Sequence, residues 1–145
     1  LSNQAAKDYV FDIDRFISFE GNTGPYILYT IVRIKSILGK YEAQNPGTKA
    51  ETILPAASDA EKTLMLELSK YNDVMESAFA ETAPHKICQY IFDLSNAFNS
   101  FYHDTRILAE EDKARQASWI ALITLVKRVL EACIQVLGFE APERM

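Results

Sequence analysis

Cysteine and histidine are scarce in this chain, with two residues of each among 145. Cys88 and Cys133 form no C-x-x-C pair and fall within helical patterns. That argues against a disulfide framework and suits a reducing cytoplasm. His85 and His103 supply neither the Glu-x-x-His nor the His-x-x-x-His spacing that sets two metal ligands on one helix face. No apolar run reaches the roughly 18 residues a membrane span needs, because Lys127 and Arg128 interrupt the longest candidate. No membrane partner is expected. An initiator Met and a charged-then-apolar leader are also missing, so no signal peptide is read, and Leu1 reads as the cut end of a longer chain. Basic excess is absent as well: 15 Lys and Arg stand against 20 Asp and Glu, a net charge of −5. This excludes a strongly basic nucleic-acid binder but not a local basic strip; no DNA partner is expected.

What is present is a chain long enough for one domain and apolar enough to fold it. At 48% apolar residues it lies outside the disordered class, and a chain this long closes a core without disulfide or metal staples. Charge is unevenly spread. Residues 25–41 carry Arg33, Lys35 and Lys40 with no acid, whereas 42–111 hold 5 basic against 12 acidic side chains.

Helical periodicity dominates from residue 24 onward. Thr23 and Pro25 suit a helix start, and Ile27, Ile31, Ile34 and Leu38 then form one stripe to about Tyr41. The stretch 43–57, with Asn45-Pro46-Gly47 and Pro55, reads as a flexible linker. Ser58 with Glu61 is a capping-box pattern opening a second helix through Ala60, Leu64 and Leu68, and Val74 to Phe79 mark a short third. Pro84 opens a long helix striped by Ile87, Ile91, Leu94, Phe98 and Phe101. Asp112 caps the last, with Trp119, Leu122, Val126, Val129, Cys133 and Val136 on one side and Gly138 as its stop. The fold class is all-α, a helical bundle. Residues 1–24 read as a junction segment whose apolar side chains pack on that bundle, and 25–145 as the helical domain.

Catalytic constellations are largely missing. His85 reads as a surface or cap residue. Ser100, His103 and Asp104 share one helix end, whereas a triad draws on separate elements. Glu110-Glu111-Asp112 reads as a solvated loop with a cap, and the two thiols as inert core groups. Alone, this chain is not expected to be an enzyme.

One surface pattern stands out. At 100° per residue, Tyr26, Tyr29, Arg33 and Lys40 fall within an arc of about 60°, roughly 120° from the isoleucine stripe. Aromatic rings followed by cations suit single-stranded nucleic acid: rings receive unstacked bases and cations meet phosphates. Periodicity alone favours the plainer reading, a pair of tyrosines buried under the N-terminal segment with solvated cations; a helical protein–protein adaptor is a further alternative.

Longer words carry a resemblance. Tyr9-Val-Phe-Asp-Ile-Asp-Arg-Phe16, then Ser18-Phe-Glu-Gly-Asn-Thr-Gly-Pro-Tyr26, resembles arginyl-tRNA synthetases just after their catalytic core. Pro84 to Tyr90, Phe98-Asn-Ser-Phe-Tyr102 and Leu137-Gly-Phe-Glu-Ala-Pro-Glu-Arg-Met145 are similar to the same family. The usual Gln and His of the tyrosine helix are replaced by Leu28 and Ile31, and Ile13 stands where Trp is common; the aromatic pair is kept.

The resemblance implies the helical DALR-type anticodon-binding domain of a class I synthetase. It also implies a cytoplasmic parent that joins arginine to its tRNA with ATP and magnesium in a separate catalytic domain of the same polypeptide. No cofactor is implied for this chain. Tyr26, Tyr29 and Arg33 match family positions that face the anticodon loop, with Met145 near the pocket and Tyr102 to Arg106 at another loop-facing helix end. Lys40 joins them on the charge argument. Anticodon domains of related synthetases, such as those for cysteine, are the neighbouring alternative.

Overall fold

The computed structural model describes residues 1–4 and 7–145, with the side chains of all of these except Arg15 and Phe16. Among the described residues there is no strand, and the helices are α1 (Ile13–Phe16), α2 (Gly24–Gln44), α3 (Asp59–Ser69), α4 (Tyr71–Ala80), α5 (Pro84–Asp104) and α6 (Lys113–Val136), with a 3₁₀ turn at Ile107–Ala109 before α6. None of these helices is long and apolar enough to cross a membrane.

Each long helix starts and stops for a local reason. Thr23 Oγ1 accepts the Tyr26 N–H at 3.4 Å and donates to the Ser18 carbonyl at 2.5 Å, which pins the entry of α2. Its exit lies at Gln44, three residues beyond the end of the isoleucine pattern, because Asn45 closes it: both its backbone N–H and its side-chain amide donate to the Tyr41 carbonyl. Asp112 Oδ1 caps α6 by accepting from Ala114 and Arg115 N–H groups. Gly138, at φ 89°, ends it in a left-handed turn, with Phe139 N–H returning to the Ile134 carbonyl and Gly138 N–H to Gln135.

The core gathers the predicted stripes. Ile27, Ile31 and Ile34 of α2, Ile87, Ile91, Leu94, Phe98 and Phe101 of α5, and Leu122, Val126 and Cys133 of α6 are all buried. Helix α5 is the hub, packing against α2, α3, α4 and α6. The thiols are core groups: burial raises the pKa of Cys88 and pushes Cys133 up to about 12, so neither is ionised near neutrality. Val136, by contrast, is 61% exposed although Ile134 is buried and Leu137 packs on the core, because it lies at the edge of the buried face of α6.

The connection after α2 is held to α6. Leu54 N–H donates to Ser118 Oγ at 2.8 Å, and Arg115 donates to the Pro55 carbonyl at 2.8 Å. Ser58 Oγ accepts the Glu61 N–H, while the buried Glu61 carboxylate accepts the Ala57 N–H at 2.8 Å and lies 3.7 Å from Arg115. Replacing Glu61 by Ala orphans that amide and strips Arg115 of its countercharge. The expected loss is about 1–3 kcal/mol, read as a lower urea midpoint at unchanged slope, with faster proteolysis between 45 and 57.

The N-terminal segment corrects one expectation. It forms one helical turn, but several of its apolar side chains face outward instead of packing on the bundle: Val10 is 88%, Ile13 61% and Ile17 60% exposed. The bundle's own helices already close its core, so the segment finds no open apolar face within this chain. Phe19 turns back, meeting Tyr29 edge-on at 6.5 Å between ring centres.

Candidate nucleic-acid interface

The aromatic arc of α2 faces α5 at its solvent edge rather than the core. Tyr29 is 44% exposed and Tyr26 is half-buried. The Tyr26 ring leans on Phe92 at 5.6 Å, while its hydroxyl donates to Asn96 Oδ1 at 2.6 Å and accepts from Asn99 Nδ2 at 2.9 Å. Burial under the N-terminal segment is therefore not what holds Tyr26; partners on α5 do.

Arg33 sits one turn beyond Tyr29 and joins two helices. Its guanidinium carbon lies over the Tyr29 ring at 4.7 Å and over the Tyr102 ring at 5.3 Å, and Nη1 donates to Asn99 Oδ1 at 2.7 Å. Tyr102 in turn stacks on the buried Phe98, 6.0 Å away and 18° from parallel. A column thus runs from the core outward: Phe98, Tyr102, Arg33, Tyr29 and the edge of Phe19. Below it, Tyr102, Lys40 and Arg106 line one hollow of about 380 Å³ between α2 and the end of α5, floored by Ile37 and Ile107. Lys40 and Arg106 are exposed there.

The tail takes its contacts elsewhere. Lys35 projects about 180° around α2 from Tyr26. It donates to Glu143 Oε1 at 2.7 Å and to the Pro142 carbonyl at 3.4 Å, with Glu131 a further 3.6 Å away. Among the described residues, none of the tail's hydrogen bonds or ion pairs reaches the tyrosine face, and Met145 is 53% exposed. The hydrogen bond from Lys35 holds the Glu143 carboxyl below its usual value of 4.5, and the same contact raises Lys35 above 10.5. The tether is therefore complete between these values. It is lost as pH falls through the depressed Glu143 value and as pH rises through the raised Lys35 value. A spin label at residue 145 should become mobile at pH 7 in Lys35→Met, or in the native chain in molar salt; an unchanged spectrum in both would refute the tether.

Asn96 and Asn99 escaped the sequence reading. The available signal was their presence, three apart, inside a long helix where asparagine is intrinsically disfavoured. The Ser100, His103 and Asp104 side chains are all exposed, and among the described residues no group of three or more His, Cys, Asp or Glu could hold a metal ion.

The family model described as the DALR anticodon binding domain matches residues 27–145. The chain belongs to the DALR anticodon-binding domain family. Across its full length it is 63% identical to part of the arginine–tRNA ligase of Agathobacter rectalis and 57% identical to part of that of Alkaliphilus oremlandii, covering 25% and 24% of those proteins. The crystal structure of arginyl-tRNA synthetase from Plasmodium falciparum superposes on 99% of the chain with a TM-score of 0.82 at 27% identity, using 25% of that structure. This DALR domain thus spans about a quarter of the relatives it matches and corresponds to their anticodon-binding portion.

Proposed function

We propose that this chain is the tRNA-gripping domain of a cytoplasmic arginyl-tRNA synthetase, holding the anticodon loop of arginine tRNA. A catalytic domain of the same polypeptide would join arginine to the tRNA with ATP and magnesium. The observation that carries the reading is the half-exposed tyrosine face of α2, built next to Arg33 and continuous with Tyr102, Lys40 and Arg106. Unstacked anticodon bases are received by Tyr26 and Tyr29, each stack contributing about 1–3 kcal/mol by alanine substitution. Arg33, Lys40 and Arg106 meet backbone phosphates, and hydrogen bonds to base edges select among sequences. Met145, at the end of the tail that Lys35 holds on the opposite flank of α2, would meet the RNA apart from the tyrosine face.

The acid-rich region from 42 to 111 disfavours nonspecific RNA on its surface outside the α5 residues that line the interface. The exposed Val10, Ile13 and Ile17 suit burial against the catalytic domain, which the junction segment 1–24 would follow, linking it to the helical domain 25–145.

The test is a titration of an arginine-tRNA anticodon stem–loop against the native chain and Tyr26→Ala, Tyr29→Ala and Arg33→Ala, with the full-length enzyme as positive control. Each variant should bind about tenfold more weakly. Loops with exchanged anticodons should bind less well than the arginine loop. Equal affinity in all three variants overturns the assignment, and capture of a protein in place of RNA favours an adaptor.

A further inference from the structure

Asn99 is joined to three residues of α2 at once. Its Oδ1 accepts from Arg33, and its Nδ2 donates to the Tyr26 hydroxyl at 2.9 Å and to Thr30 Oγ1 at 3.4 Å. Both N–H groups of the amide are therefore committed, and its oxygen is engaged by the guanidinium. Turning the amide over would set its NH₂ against the guanidinium, donor against donor. The orientation is therefore dictated by its neighbours. Arg33 spends one N–H on this bond and keeps its other donors, while two ring faces hold the guanidinium carbon. Asn96 spends its oxygen on Tyr26, and its NH₂ has no partner among the described residues. The N–H groups left free, those of Arg33 and of the Asn96 amide, suit RNA atoms that accept.

We propose that Asn99 is the positioning residue of this interface. It fixes the Arg33 guanidinium over Tyr29 and Tyr102, so that its outward N–H groups meet a pair of RNA acceptor atoms already aimed. Arg33 is then a rigid fork rather than a loose cation, and the ordering of its side chain is met on folding instead of on binding. This rests on the RNA reading above and adds to it the group through which the arginine acts.

The test is a double-mutant cycle on the full-length enzyme with a fluorescent arginine-tRNA anticodon stem–loop, read by anisotropy, with a thermal melt of each variant. Asn99→Ala should weaken binding about fivefold in the native background, yet less than about twofold when Arg33 is already Ala. Arg33→Lys should bind no better than Arg33→Ala, because an ammonium has neither a flat face nor a fork. If the acceptors are phosphate oxygens, Arg33→Ala flattens the salt dependence equally for every loop sequence; if they form a base edge, its loss varies with the anticodon.

Losses from Asn99→Ala and Arg33→Ala that simply multiply would reduce Asn99 to a structural contact and overturn the proposal, as would full rescue by Arg33→Lys. If Asn99→Ala melts below the assay temperature, Asn99→Ser replaces it in the cycle. Should Tyr26→Ala, Tyr29→Ala and Arg33→Ala all bind normally, the RNA reading itself has failed, which is a different outcome from an additive cycle.

Discussion

Phe98→Ala should cost about 3–5 kcal/mol of stability, enough to lower Tm by roughly 10 °C or more in a chain of this size. Phe98 is fully buried, so the truncation leaves a cavity in the α5 hub on which α2, α3, α4 and α6 all pack. A domain of this kind is stable by only about 5–15 kcal/mol, so one ring represents a large share of the total. The same ring is the base on which Tyr102 stacks, and Tyr102 is one of the two faces holding Arg33. The variant should therefore also bind the anticodon stem–loop more weakly at temperatures where it remains folded. Leu130→Ala provides the contrast. Leu130 is equally buried, on α6 and outside the aromatic column, so its loss should cost a comparable few kcal/mol and leave RNA affinity unchanged. Urea unfolding followed by Trp119 fluorescence gives the first quantity and a titration the second. Equal RNA affinity in both variants would separate the column from the core and refute the coupling.

That coupling marks where sequence reasoning reaches its limit. Ile27, Ile31 and Ile34 announce their burial through 3.6-residue spacing, and Asp112 and Gly138 announce the ends of α6, because those signals are local to one helix. Tyr29 and Arg33 are neighbours for the same reason, four apart on one face. That Tyr102 completes the pair, and that Asn99 rather than Asn96 receives the guanidinium, depends on the register of α5 against α2. Periodicity reveals which side of a helix packs, not which residue of the partner it meets. The tail presents the same difficulty: Lys35 is legible as a cation on the far flank of α2, but its partner lies 108 positions away in sequence. Val10, Ile13 and Ile17 show a different limit, since apolar composition signals a need for cover without saying which body supplies it.

Arg33→Glu should abolish most RNA affinity, roughly a hundredfold or more, while leaving the fold near native stability. The binding loss has two parts: a charge-assisted hydrogen bond worth about 1.5–3 kcal/mol disappears, and a carboxylate now faces the incoming backbone. The fold is spared because Arg33 is only half-buried at the rim of the core, where water reaches the new carboxylate. Lys40→Glu, at an exposed position along the same face, should cost less, since its charge is screened by water and salt. Raising the salt should narrow the gap between Arg33→Glu and Arg33→Ala, whose difference is electrostatic, without restoring either to native affinity. Titrations at low and high ionic strength, with thermal melts of each variant, test all of this. An Arg33→Glu chain that still binds the arginine stem–loop within about threefold of native would place the RNA on some other surface.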